Sequence, residues 1–462
     1  MTRRILIDPV TRLEGHGRID IRLDAAGNVA RAFFQVPDFK GFEKFCEGRA
    51  AEEMPTLTQK ICGVCPTAHH IAAAKALDDL FHVVPPPAAR IIRELMHTAF
   101  VFEDHLLHFF YLGGPDILVD GDARSANRNV FGALQEVGAA VGAQAIQIRQ
   151  KVRMFNGMLG GSARYPVCAL PGGVSKPVAP EARKAMGETA AEALVFARET
   201  LRLFHNKVLR QKRFIDMARS PVFSLSTYYL GLVDDNDRVN FYDGKIRIVA
   251  PDGEEFASFS ADAYLEHLEE RTDIHSYMKT LYLKAVGWHG YLDGPDNGMY
   301  RVGPLARLNA AAGMSTPLAQ EEYERLYNAV HQKPAHNTML YHWARLIEVL
   351  YAAERMVALV DSPALTDAHV RNLPEQAGAS VGVGVCEAPR GTLIHHYQAD
   401  ENAIIRHLNL LVATQNNAGA ICLSVEKAAR ALIKKGHVTD KLLNAVEMAY
   451  RAYDPCLACA TH

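Results

Sequence analysis

Apolar residues recur at three- and four-residue spacing over long stretches of this chain, at about 87–111, 128–158, 180–217, 318–332 and 337–361, which predicts amphipathic helices. A period of two appears in only two places. Near the start, Ile19, Ile21 and Leu23 alternate with polar residues, Asp24-Ala25-Ala26-Gly27-Asn28 supplies a turn, and Val29 to Val36 returns. That predicts a small antiparallel sheet. Later, Lys245-Ile246-Arg247-Ile248-Val249 lies between the turn signals Phe241-Tyr242-Asp243-Gly244 and Pro251-Asp252-Gly253, as in a short meander over 239–260. The expected fold class is α+β, predominantly α: a long-helix bundle with a small N-terminal antiparallel sheet and a second small β meander. Residues 1–60 are expected to form the β region, 61–238 to be helical, 239–260 to be the meander and 261–462 to be helical. No repeat or low-complexity linker divides the chain, so a single domain over 1–462 is expected.

With 462 residues and 49% apolar composition the chain can bury a large core. A net charge of -2 supplies no basic field for nucleic acid or an anionic membrane. From Met1, only Ile5-Leu6-Ile7 precede Asp8 and Pro9, too few apolar residues for a signal-peptide core, so a cytoplasmic location is expected unless a partner carries the signal. The best candidate for a membrane span, Ala403 to Val412, is broken by Arg406, His407 and Asn409. Eight cysteines in a reducing compartment argue against a disulfide framework. Cys46, Cys168, Cys386 and Cys422 stand singly and read as buried small hydrophobes.

The other four form two pairs near opposite ends, Cys62-Gly63-Val64-Cys65 and Cys456-Leu457-Ala458-Cys459. Pro66 suits the first position of a helix, so the first pair is expected to cap a helix N-terminus, where the dipole favours thiolates. Asp454-Pro455 puts the second pair on a comparable turn. Two C-x-x-C pairs are the usual signature of structural zinc, but zinc ribbons hold both pairs in one small module. A dithiol redox pair does not explain the matching pair at the other end. A catalytic centre with another metal therefore stands beside the zinc reading.

The surrounding residues add a resemblance. Arg12-Leu13-Glu14-Gly15-His16, Lys40-Gly41-Phe42-Glu43, Ile61-Cys62-Gly63-Val64-Cys65-Pro66-Thr67-Ala68-His69-His70, Glu387-Ala388-Pro389-Arg390-Gly391 and Asp454-Pro455-Cys456-Leu457-Ala458-Cys459-Ala460-Thr461-His462 follow one another along the chain. In this order they resemble the large, catalytic subunit of nickel-iron hydrogenases, and they imply its fold. The resemblance implies that Cys62 and Cys456 bind nickel terminally, that Cys65 and Cys459 bridge it to iron, and that iron carries carbon monoxide and two cyanides. His69 would donate to a bridging sulfur, and His70 would either support the site from behind or be merely structural. Arg390 would lie over the open metal site with Asp104 and Asp454 as acidic neighbours, and Pro389 would help wall the pocket. Glu14 matches the family's first proton acceptor beyond the nickel-bound sulfur. Glu43 and His462 resemble ligands of a magnesium ion near the C-terminus, with a backbone carbonyl near Asn417 as a weaker third.

Two positions depart from the family pattern. Lys60 stands where arginine is usual, which keeps charge but loses bidentate bonding. In Val412-Ala413-Thr414-Gln415-Asn416 a hydroxyl residue facing a cyanide is expected; Thr414 is the candidate, although Ala413 stands where the hydroxyl would fall. A C-terminal extension is usually removed after the final histidine, so a chain ending at His462 is expected to be the processed form.

The implied reaction is reversible heterolytic cleavage of dihydrogen, with the Cys456 thiolate and Arg390 as candidate bases and Glu14 relaying the proton. The single cysteines show no iron-sulfur spacing, so the electrons require an iron-sulfur small subunit. Gly382-Val383-Gly384 is no dinucleotide fingerprint. Any NAD(P) or deazaflavin acceptor therefore binds a further diaphorase-type or other module, and a nicotinamide-linked soluble complex is the expected branch. The competing readings are a deazaflavin- or disulfide-reductase-linked complex, a metal-free scaffold and a zinc-stabilised structural protein.

Overall fold

The computed structural model describes residues 3–120, 123, 125–374 and 379–462. Met1 and Thr2, at the head of the expected β region, lie outside them. The N-terminal sheet pairs β1 (Arg4–Ile7), β2 (Arg18–Leu23) and β3 (Val29–Gln35) antiparallel, with Ile19, Ile21 and Leu23 fully buried as their alternation requires. Its turn closes as predicted, because the Asp24 carboxylate accepts from the Ala26 and Asn28 amides at 2.9 and 2.8 Å.

Five long helices frame the site. α1 (Pro66–Leu80) follows the first cysteine pair, and α2 (Pro87–Leu107) carries Asp104. α3 (Ala139–Gly160), α4 (Pro180–Phe204) and α5 (Tyr341–Asp361) complete the bundle, with α5 packed against both α2 and α4. The expected helix at 128–158 is broken by Gly138, which takes a φ of 91° between Val130–Val137 and α3. The expected helix at 180–217 is interrupted by a π turn at His205–Leu209 before Lys212–Arg219. Among the described residues no helix is long and apolar enough to cross a membrane.

The structure corrects the two regions read as helical. β4 (Tyr228–Val233) lies in the first and joins the predicted meander strands β5 (Lys245–Val249) and β6 (Glu255–Phe259) in a larger sheet. The second holds the hairpin β7 (Leu268–Asp273) with β8 (Ser276–Leu283). It also holds an antiparallel sheet of β9 (Ser380–Ala388), β10 (Gly391–Ala399) and β11 (Ile405–Leu411). Every residue of β4 is buried, and so is all of β10 except Gln398. Strands covered on both faces show continuous apolar runs rather than alternation, which a period search cannot separate from helix.

α1 lies directly on β9. A Cβ at Gly384 would stand 2.2 Å from the Ala72 carbonyl oxygen, and one at Gly382 equally close to that of Ala76. Bare glycines on the strand and alanines on the helix therefore set the distance between the first cysteine pair and the sheet that ends at Arg390. Gly384→Ala should cost about 1–3 kcal/mol by overpacking and reduce metal retention. Gly187→Ala, in α4 with its nearest neighbour at 3.5 Å, should stabilise by about 0.5–1 kcal/mol. Chemical denaturation and metal analysis of both variants check the opposite signs.

Candidate metal centre

Cys62 follows the turn Thr58–Ile61, and Cys65 is the N-cap of α1 with Pro66 at the first helical position. At the other end of the chain Cys456 is the N-cap of the short helix Leu457–Ala460, and Cys459 lies within it. The N-terminal loop fastens this end: the Leu457 amide donates to the Glu14 carbonyl at 2.9 Å, and the Ala458 amide donates to the Glu14 carboxylate at 2.9 Å. Gly15 takes a φ of +86°, and a Cβ there would meet that of Leu457 at 2.9 Å. Only glycine permits so close a crossing.

The result is four buried sulfurs in mutual contact. Cys62 and Cys456 are 3.2 Å apart, Cys65 and Cys459 2.9 Å, and Cys456 and Cys459 3.0 Å. Hydrogen bonds from the other thiols hold the Cys62 thiol well below its ordinary range. Burial pushes Cys456 and Cys459 well above it, and Cys65 is also raised. Four thiolates this close would repel one another, so ionising all four takes cations. Among the described residues this is the only group of three or more His, Cys, Asp or Glu side chains placed to hold a metal.

A small cavity lined by buried residues borders three of these sulfurs, leaving out that of Cys62. Ala68, Leu393, Val412 and Ala413 give it apolar walls, and Arg390 and Thr414 supply donors. Arg390 pairs with Asp104 at 3.2 Å and Asp454 at 3.0 Å, yet its Nε has no partner among the described residues. Soft thiolates beside an apolar cavity with an unspent donor fit nickel and iron, the iron bearing small acceptor ligands. Burial raises the Asp454 carboxyl to about 7 against the pull of Arg390.

Glu14 is half-buried, and its Oε2 accepts from Cys456 Sγ at 3.2 Å. Burial, with Cys62 adding to it, raises its carboxyl. His69 Nε2 stands 3.5 Å from Cys459 Sγ. The Thr414 hydroxyl accepts from the Cys456 amide at 2.9 Å, and Thr414 and Ala413 both line the cavity. Pro389, expected in the wall, is not among the lining residues; its carbonyl accepts from Arg307 at 3.0 Å. Glu43 meets His462 Nε2 at 3.4 Å, and although burial would raise its carboxyl, His462 and the Leu410 amide hold it low. The Asn417 side chain bonds the Val302 amide and the Arg390 carbonyl, and the Leu410 amide donates to the Glu43 carboxylate at 3.0 Å. Both His70 nitrogens bond backbone, at the Pro55 carbonyl and the Ala169 amide, a structural role. Lys60 is exposed, and Lys40 instead fixes the Ile61 carbonyl at 3.0 Å.

Sequence reasoning missed the support beneath Arg390. The buried Arg307 bonds Glu348 at 2.7 and 2.8 Å, Glu387 at 2.5 Å, and the Ala388 and Pro389 carbonyls at 2.9 and 3.0 Å. Glu348 in turn meets His105 at 2.7 Å. Glu387 stands in a quoted motif and was the available signal; Arg307 and Glu348 had none.

The fold and site define the large subunit of a nickel-dependent hydrogenase. A family model described as "Nickel-dependent hydrogenase" matches residues 40–135 and 231–462, and one described as "HoxL-like" matches 4–39. The chain is 42% identical over 462 residues to an iron-sulfur subunit of the F420-non-reducing hydrogenase of Archaeoglobus profundus, covering 100% of this chain and 94% of that one. It is 37% identical over 479 residues to the "NAD-reducing hydrogenase HoxS subunit beta" of Cupriavidus necator, covering 100% and 95%. A crystal structure of an NAD+-reducing [NiFe]-hydrogenase superposes with a TM-score of 0.93 at 38% identity, covering 100% of both chains. The fold is shared with the Ni-Fe-Se hydrogenase of D. vulgaris Hildenborough, at a TM-score of 0.80, 21% identity and 100% coverage of both. This chain belongs to the nickel-dependent hydrogenase large-subunit family.

Changing Cys62, Cys65, Cys456 or Cys459 singly to serine should abolish nickel binding while the bundle still folds. Metal analysis beside circular dichroism checks this; retention of nickel by any one variant would remove that residue from the ligand set.

Proposed function

We propose that this chain is the catalytic subunit for reversible heterolytic cleavage of dihydrogen, yielding two protons and two electrons. The observation that carries the reading is the contact of four buried sulfurs beside an apolar cavity roofed by Arg390. Cys62 and Cys456 would hold nickel terminally, and Cys65 and Cys459 would bridge it to iron. When bound, the nickel-iron centre, with carbon monoxide and two cyanides on iron, supplies the Lewis-acidic, redox-active position at which the H–H bond is cleaved.

The chain's residues do the rest. The apolar walls exclude water from the reacting position. Arg390, held by Asp104 and Asp454, presents a fixed positive charge over it. Cys456 Sγ takes a proton, and Glu14 Oε2, 3.2 Å away, receives it at the half-buried edge of the site. Thr414 and Arg390 would donate to the ligands on iron. Glu43 and His462, completed by waters, would hold magnesium, with Lys279 Nζ 3.9 Å from Glu43 at the rim.

Electrons would leave past Gly63, which is exposed although Cys62 and Cys65 on either side are buried. A cleft beside it is lined by Arg149 and Arg153, both paired with Glu103, together with Asp104 and Arg164, and the iron-sulfur partner subunit would dock on this polar face. We propose NAD(P) as the acceptor, reached through a diaphorase-type module in a cytoplasmic complex, a reading supported by the NAD-reducing relative and by the superposition on the NAD+-reducing enzyme. The F420-non-reducing relatives support the second reading, a complex with another acceptor. Hydrogen-dependent NAD(P)H formation by the native complex separates the two.

The infrared spectrum of the anaerobically purified protein should show one carbonyl and two cyanide bands. Their absence from a folded, metal-loaded protein would sink the nickel-iron reading in favour of zinc or a scaffold. Glu14→Gln should keep these bands and the nickel but lower deuterium–proton exchange by roughly 100-fold.

A further inference from the structure

Behind His69 the hydrogen bonding continues into the sheet. His69 Nδ1 meets His395 Nε2 at 3.1 Å, and His395 Nδ1 meets the Tyr397 hydroxyl at 2.6 Å. With the 3.5 Å contact from His69 Nε2 to Cys459 Sγ, three consecutive contacts run from a cysteine sulfur to a tyrosine. All four residues are at most 1% exposed. The placement follows from the backbone. His395 and Tyr397 alternate onto one face of β10, and their cross-strand partners on β9 are Gly384 and Gly382. Those are the glycines on which α1 rests, so the helix that carries His69 is brought to the face that carries His395 and Tyr397.

We propose that His395 and Tyr397 are positioning residues that fix the tautomer of His69 and so secure its hydrogen bond to the Cys459 sulfur. This rests on the nickel-iron reading, in which Cys459 is a metal-bound thiolate without a proton. The two rings contact a sulfur, each other and a phenol. Among the described residues no carboxylate hydrogen-bonds either ring, so each carries one N–H. A thiolate can only accept, which leaves one way to give each contact a single proton. Tyr397 O–H donates to His395 Nδ1, His395 Nε2–H donates to His69 Nδ1, and His69 Nε2–H donates to Cys459. If Tyr397 is removed, His395 can carry its proton on Nδ1 instead, two bare nitrogens then face each other, and His69 is free to turn from the sulfur. The relay moves no proton in turnover; it holds a donor on one of the four sulfurs.

The test is Tyr397→Phe, which deletes a single oxygen, read by infrared spectroscopy at wild-type nickel content. A thiolate that loses a hydrogen bond gives more electron density to iron, so the carbonyl band should move to lower frequency. His395→Leu should shift it likewise, and His395→Gln, which retains an N–H for His69, should restore it. An unshifted band in Tyr397→Phe overturns the proposal. Wild-type protein without any carbonyl band would instead defeat the nickel-iron reading. A second measurement needs no variant: in metal-loaded wild-type protein with 15N-labelled histidine, His69 and His395 should both appear as Nε2–H tautomers. Either one as Nδ1–H overturns the relay whatever the variants do.

Discussion

Four sulfur atoms from the two ends of the chain touch one another, and the rest of the structure answers to that constraint. At 3 Å, two thiolates repel by about 5 kcal/mol even at an effective dielectric of about 20. Cations can supply the opposing charge, but only the framework can supply position. The first pair is anchored through α1, whose backbone lies on glycines of β9. The second is anchored by the Glu14 loop on one side and Thr414 on the other. Each pair is thus held by contacts of its own, in addition to those between the sulfurs.

The same logic governs the positive side of the site. Arg390 sits between Asp104 and Asp454, Arg307 sits between Glu348 and Glu387, and both arginines are buried. Each cation sits between two carboxylates, so removing the arginine strands two buried carboxylates, a loss of about 3–5 kcal/mol. Arg307 also grips the Ala388 and Pro389 carbonyls, which fixes the turn that aims Arg390. The charge over the cavity is therefore set in place in advance, the condition under which electrostatic stabilisation is most effective.

Much of this was legible in the sequence, for reasons that also explain the rest. The long helices announce themselves by period because one face of each meets water, and β2 does so by alternation. β4 and β10 carry no period because neither face is exposed, and they passed for helix. The cysteine motifs are local and specific, so their residues were readable one by one. Arg307 lies about 80 residues from Glu387, and His395 more than 300 from His69, so only the folded chain pairs them. Thr414 and Ala413 are adjacent in sequence, and only the folded chain shows that the Thr414 hydroxyl meets the Cys456 amide.

What the surroundings finally do is make four like ligands unlike. Cys62 accepts from the Val64 amide at 3.2 Å and lies next to the exposed Gly63. Cys456 is the sulfur hydrogen-bonded to the Glu14 carboxylate. Cys459 faces a histidine backed by a second histidine and a tyrosine. Cys65 borders the cavity between α1 and Arg390. Two C-x-x-C repeats are symmetric as sequence, and a symmetric site would offer a proton four equivalent bases. Here the surroundings differ from sulfur to sulfur, and the Glu14 carboxylate accepts from that of Cys456.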